Sequence, residues 1–138
     1  MNNLKALLLG LTLLSFTNVA KSQMKTDPIP KAGMFKVEIL YPGGDDKTFD
    51  MDYYVNKHMP MVAGFLGKNL VFYEIDKGVS GRMPTDKIPF AAIGYFYVTD
   101  VAEYNKAIMQ NIDAIRNDIK NYTNIQPTIQ ISEIKVVK

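Results

Sequence analysis

Between residues 34 and 137 the chain switches repeatedly between two hydrophobic periods. Met34–Tyr41 sets Phe35, Val37, Ile39 and Tyr41 on one face and Lys36, Glu38 and Leu40 on the other, the period-two pattern of a strand with one buried side. Pro42-Gly-Gly-Asp-Asp46 breaks it. Asp50 then stands where a helix cap would, ahead of Met51, Tyr54, Val55, His58, Val62 and Phe65 at helical spacing. Pro60 falls inside that run, which predicts a kink or break near Met59, and Gly67 predicts its end. Leu70–Asp76 reads as a second strand, followed by a Gly/Pro-punctuated loop from Lys77 to Pro89. Phe90–Val98 (FAAIGYFYV) reads as a third strand, apolar on both faces and therefore central. From Asp100 a helical face of Val101, Tyr104, Ile108, Ile112, Ile115, Ile119 and Tyr122 predicts one long helix or two collinear pieces. Thr128–Val137 is the last strand. Its apolar parity changes between Ile131 and Ile134, which predicts a bulge between Ser132 and Glu133.

The order β-α-β-β-α-β predicts an α+β, ferredoxin-like fold: a four-stranded antiparallel sheet with both helices on one face. The other face is then open, and the third strand must supply part of it. Ala92, Gly94, Phe96 and Val98 share one parity; Ala91, Ile93, Tyr95 and Tyr97 share the other. We place Gly94 under a helix, where it permits close approach, and the Tyr95/Tyr97 side on the open face. An apolar open face calls for a second copy packed sheet to sheet, a homodimer.

Composition narrows the chemistry. The chain has 16 Lys and Arg against 14 Asp and Glu; Lys5 and Lys21 fall in the acid-free residues 1–22, so the remainder balances 14 against 14. No positive field for nucleic-acid binding is left. No cysteine means no disulfide, thiol nucleophile, Cys-ligated zinc or iron–sulfur cluster, and the single histidine, His58, cannot build a multi-His metal site. Neither a nicotinamide nor a flavin fingerprint is present, and Pro42–Asp46 lacks the Lys-Ser/Thr end of a phosphate loop. No cofactor is expected.

Residues 1–22 read as a signal peptide. Lys5 precedes an eleven-residue apolar core, Ala6–Phe16, and Ala20-Lys-Ser22 offers small residues before a cut at Gln23. The core is short of the about 20 apolar residues needed to span ~30 Å of hydrocarbon, so no stable membrane span is expected after its removal; an uncleaved anchor is the alternative. Residues 23–33 form a flexible lead and 34–138 the folded domain. A periplasmic or secreted location follows.

Three segments then carry a family resemblance. Met34–Pro42, Thr48-Phe-Asp-Met-Asp-Tyr-Tyr54 with His58-Met-Pro-Met-Val62, and Asp118-Ile-Lys-Asn-Tyr-Thr-Asn-Ile-Gln-Pro127 running into Gln130-Ile-Ser resemble the EthD family, over nearly all of residues 34–137. The resemblance implies a dimeric α/β barrel. It also implies a small-molecule role, of the kind borne by cofactor-free lyases, by auxiliary proteins of oxygenase systems and by proteins called reductases.

His58 and Tyr54 are the candidate catalytic residues, sharing a helix face at i, i+4. An imidazole of pKa near ~6.5 can exchange a proton at neutral pH; equally, His58 can be a satisfied core histidine, and Tyr54 a core tyrosine. Asp50 and Asp52 read as capping residues and Met51, Met59 and Met61 as gap-fillers around Pro60. Tyr41, Phe72, Tyr95 and Tyr97 are candidate walls of a cavity for a small hydrophobic molecule, or else interface. Three functions stand at this point. One is a cofactor-independent oxidoreductase or lyase acting on a small hydrophobic or aromatic carbonyl compound with His58 as acid/base. The others are a non-catalytic binder with the same cavity and a structural dimer without one. An open pocket reaching His58 separates the last from the other two.

Overall fold

The structure, a computed structural model, describes residues 30–138. The expected signal peptide, residues 1–22, and most of the lead lie outside the described residues. The elements run β1 (Phe35–Pro42), α1 (Met51–Tyr53), a π-helical turn (Tyr54–His58), α2 (Met59–Leu66), a 3-10 turn (Gly67–Asn69), β2 (Leu70–Lys77), β3 (Phe90–Val98), α3 (Val101–Gln110), α4 (Ile112–Ile119) and β4 (Thr128–Glu133). The four strands form one antiparallel sheet in the order β2-β3-β1-β4. This is the ferredoxin-like, α+β arrangement that the sequence predicts.

Parity decides which side chains meet the helices. Val37, Ile39 and Tyr41 of β1 lie beside Phe96, Gly94 and Ala92 of β3, and all but Gly94 belong to the buried core. Met59, Val62 and Leu66 of α2 and Tyr104 of α3 complete it. Each valine, leucine, isoleucine, phenylalanine or methionine among them contributes roughly 1.5–3 kcal/mol when fully covered. Gly94 is glycine for a packing reason: a Cβ there would run into the Tyr54 hydroxyl and sit 3.2 Å from the Met59 methyl. The opposite face carries Lys36 and Glu38, Phe72, Glu74 and Asp76, Tyr95 and Tyr97, and Gln130 and Ser132.

Three local expectations are corrected and one open alternative is decided. Pro60 does not break the helix; the backbone stays helical through Met59, and the turn before the proline widens, with the Met59 N–H donating to the Tyr54 carbonyl. Proline brings no N–H to the ladder, and a π turn is one way to pass it. Of the two forms expected for the second helix, the two-piece one is found: it is divided at Asn111 (φ −118°, ψ 15°) into α3 and α4, and the Asn111 side chain donates to the Ala107 carbonyl at 2.8 Å. There is no bulge between Ser132 and Glu133. β4 keeps regular register against β1 and ends at Glu133, so the parity change in the sequence marks the end of the strand. β2 runs one residue further than expected, to Lys77.

Two caps are found where the sequence puts them. Asp50 accepts from the Tyr53 N–H at 3.0 Å and Asp100 from the Glu103 N–H at 2.9 Å. Gly67 ends α2 with φ +53°, a conformation that costs glycine little.

Candidate functional site

Residues 46–50 and 122–124 are clasped together, and that clasp sets the site. Phe49 and Thr123 form an isolated antiparallel bridge. The Thr48 N–H donates to the Asn124 side chain (2.9 Å), the Thr123 hydroxyl to the Thr48 carbonyl (2.7 Å) and the Asp50 N–H to the Tyr122 carbonyl (2.7 Å). The helix carrying Tyr54 and His58 therefore starts from a point fixed to the end of α4. Between them the rings of Tyr41, Phe49, Tyr53, Tyr54 and Tyr122 form one aromatic cluster, and two of its members lie against His58: Tyr122 at 4.6 Å and Tyr54 at 5.6 Å, centroid to centroid. The widened turn brings Tyr54 and His58 nearly parallel, 16° apart.

His58 keeps 5% of its surface exposed. Its Nδ1 lies 2.8 Å from Asp118 Oδ2 on α4. The other oxygen of Asp118 accepts from the Tyr53 hydroxyl at 2.7 Å and from the Asn121 amide at 2.8 Å. Burial lowers the His58 pKa below 6.5, with Asp118 opposing. Burial works against ionised Asp118, but the hydrogen bonds from His58, Tyr53 and Asn121 prevail and hold it below 3.8. At neutral pH this is a neutral imidazole whose Nδ1–H donates to a carboxylate, leaving Nε2 with a free lone pair. That tautomer is assigned from the bonding network.

Tyr54 is fully buried, and its hydroxyl has no hydrogen-bond partner among the described residues. Tyr41 and Tyr122 pair with one another, hydroxyl to hydroxyl, at 2.8 Å. Burial raises the pKa of all three phenols, so each is a proton donor at neutral pH.

A cavity of about 490 Å³ opens between the covered face of the sheet and α3–α4. Tyr41, Tyr54, His58 and Tyr122 line it, together with Ile39, Phe96 and the isoleucines at 108, 112, 115 and 119. The structural-dimer reading required that no such pocket reach His58, and one does. The expected walls do not gather in one place. Tyr41 lines this cavity; Phe72, Tyr95 and Tyr97 lie on the other face of the sheet. Phe72 stacks on Tyr97 at 4.1 Å, and the Tyr97 hydroxyl donates to Glu74 at 2.8 Å. Grouping these with Tyr41 rested on aromatic character, but strand parity separates them.

Asp118 is the residue that the periodicity does not single out. It sits in a polar stretch of sequence with Asp113, Arg116, Asn117 and Lys120, 60 residues from its partner. Its one signal in the sequence is its place at the head of the third family-like segment. Among the described residues no group of three or more His, Cys, Asp or Glu side chains converges to hold a metal ion, and no helix is long and apolar enough to cross a membrane.

Comparison with known proteins agrees with the fold. The chain is similar to the crystal structure of an EthD-like protein from Ralstonia eutropha JMP134, at 36% identity and TM-score 0.74, over 78% of this chain and 96% of that one. It also matches an ethyl tert-butyl ether D (EthD) family protein from Bacillus halodurans C-125, at 20% identity and TM-score 0.55, over 72% and 97%. No protein-family model matches, and neither does any curated protein.

Proposed function

The chain belongs to the EthD family, and from that premise we propose that it is a cofactor-independent, lyase-type enzyme acting on a small hydrophobic or aromatic carbonyl compound. The observation that carries the reading is the Asp118–His58 pair at an apolar cavity, a base held in one tautomer by a carboxylate.

His58 Nε2 takes a proton from the carbon next to the carbonyl. The C–H electron pair moves to the carbonyl oxygen as an enolate, and the imidazolium that forms is stabilised by Asp118. Tyr54 stacks on the imidazole and helps to orient it, its hydroxyl being sealed against Gly94. Where the substrate carries a β-hydroxyl, the enolate collapses and expels it. The imidazolium returns its proton to that oxygen, and water leaves with a C=C bond formed. The proton balance closes on His58 alone.

The reading includes a second copy on the open sheet face and export past the inner membrane, with residues 1–22 removed. Intact mass of the protein from its native host, beginning near Gln23, is the expected result for export; a mass retaining residues 1–22 contradicts cleavage.

The catalytic reading is tested with a panel of aryl ketones and their β-hydroxy derivatives in deuterated buffer, followed by NMR. Wild type should exchange the protons next to the carbonyl. His58→Asn, folded by circular dichroism, should lose that exchange by ~10²–10⁴-fold. Ligands that bind wild type with no exchange above the variant's would make the protein a carrier.

A further inference from the structure

The cavity is asymmetric in charge. Arg116 and Lys120 both line it, and no Asp or Glu does. Both are exposed, so they stand at its mouth. Neither lies within salt-bridge distance of a carboxylate among the described residues, in a chain whose residues 23–138 carry equal numbers of each sign. At i, i+4 on one helix face, two like charges repel unless an anion lies between them. Asn124 and Gln126 line the same cavity and add neutral donors.

α4 also fixes the distance from this mouth to the base. At the α-helical rotation per residue, Arg116 and Lys120 lie close together while Asp118 is about 160° round from both. Ile112, Ile115 and Ile119 fill the arc that faces the cavity. The cations thus stand at one edge of an apolar stripe and the carboxylate that holds His58 beyond the other. The two edges are separated by about the ~10 Å width of a helix.

We propose that the ligand is an elongated amphipathic carboxylate: its anionic end is held by Arg116 and Lys120, and its hydrophobic end crosses the isoleucine stripe to Tyr54 and His58. The inference rests on the cavity being a ligand site and adds the charge and length of what fills it. A guanidinium takes a carboxylate in a two-point hydrogen bond, and the neighbouring ammonium adds a point charge. A neutral ester of the same skeleton keeps the apolar contacts and loses both.

The test is calorimetric titration of the full chain with three probes at neutral pH and low salt: phenylhexanoate, its methyl ester and phenylhexylamine. The acid should bind about tenfold more tightly than the ester, the amine more weakly than either, and the preference should shrink as salt is raised. Arg116→Gln/Lys120→Gln should bring the acid down to the affinity of the ester, with an unchanged melting midpoint. An ester bound as tightly as the acid by wild type, or an acid preference that survives the double substitution, overturns the proposal and leaves the cavity reading standing. Failure of all three probes to bind overturns both.

Discussion

His58 and Asp118 make the pH behaviour of the site explicit at the level of single residues. The folded-state pKa of His58 lies below 6.5, so the native state binds fewer protons than the unfolded chain once the pH drops under that value. The stability tied to the neutral imidazole is therefore complete above pH 6.5 and is lost as pH falls toward the folded pKa. Asp118, held below 3.8, adds a second loss, at pH values under 3.8. Urea midpoints measured across this range should show both steps in wild type, and His58→Gln should remove the upper one. A single histidine also makes its NMR titration unambiguous. Asp118→Asn should move the His58 midpoint lower still, because Asp118 is the group that raises it, and should cost ~10²-fold or more in turnover by freeing the tautomer. A midpoint that rises in this variant would refute the pairing. Gly94 supplies an independent check on packing. Gly94→Ala should destabilise by about 1–3 kcal/mol, and Tyr54→Phe, which removes the hydroxyl the new methyl meets, should recover part of that. Additive losses in the double-mutant cycle would mean that the two residues do not touch.

Among the elements, the strands were the legible ones. Their period is two, so the alternation of Phe35, Val37, Ile39 and Tyr41 assigns faces directly, and the Ala-Gly-Phe-Val parity of β3 places Gly94 under the helix. The π turn was not legible, because it is a response to Pro60 that depends on how the ladder reopens around a missing N–H. Its effect is local yet decisive, since it sets the orientation of His58 relative to Tyr54. Pro60→Ala restores the donor and should let the turn relax to α-helical register. The expected sign is loss of the low-field imidazole N–H resonance that the bond to Asp118 produces; its persistence would mean that the Asp118 side, not the turn, holds the ring. A division of the second helix was one of two forms the pattern allowed, but its place at Asn111 was hidden, because hydrophobic spacing continues across it from Ile108 to Ile112.

For the molecule as a whole, the proposed second copy is to be tested at the open sheet face. Tyr97 is already 8% exposed without any partner, covered by Phe72 and tied to Glu74, so it belongs partly to the monomer's own stability. Tyr95 is the cleaner probe. Burial and the neighbouring Asp76 push its pKa up to about 12, and Lys36 lies over its ring at 5.4 Å. Tyr95→Lys should convert a dimer to monomer in light scattering with a nearly unchanged circular dichroism spectrum; an intact dimer would place the interface elsewhere. The clasp between residues 46–50 and 122–124 has a different consequence, kinetic in kind. The bonds that make the site join partners far apart in the chain: Tyr41 to Tyr122, His58 to Asp118, Thr48 to Asn124. Closing such long loops is entropically costly and slow. The pocket therefore takes shape only when the C-terminal third docks, and a nascent chain stopped short of residue 118 carries His58 and every aromatic wall but Tyr122, yet lacks the carboxylate that orients the imidazole. In refolding, binding should return with the slowest phase rather than with the first helical signal.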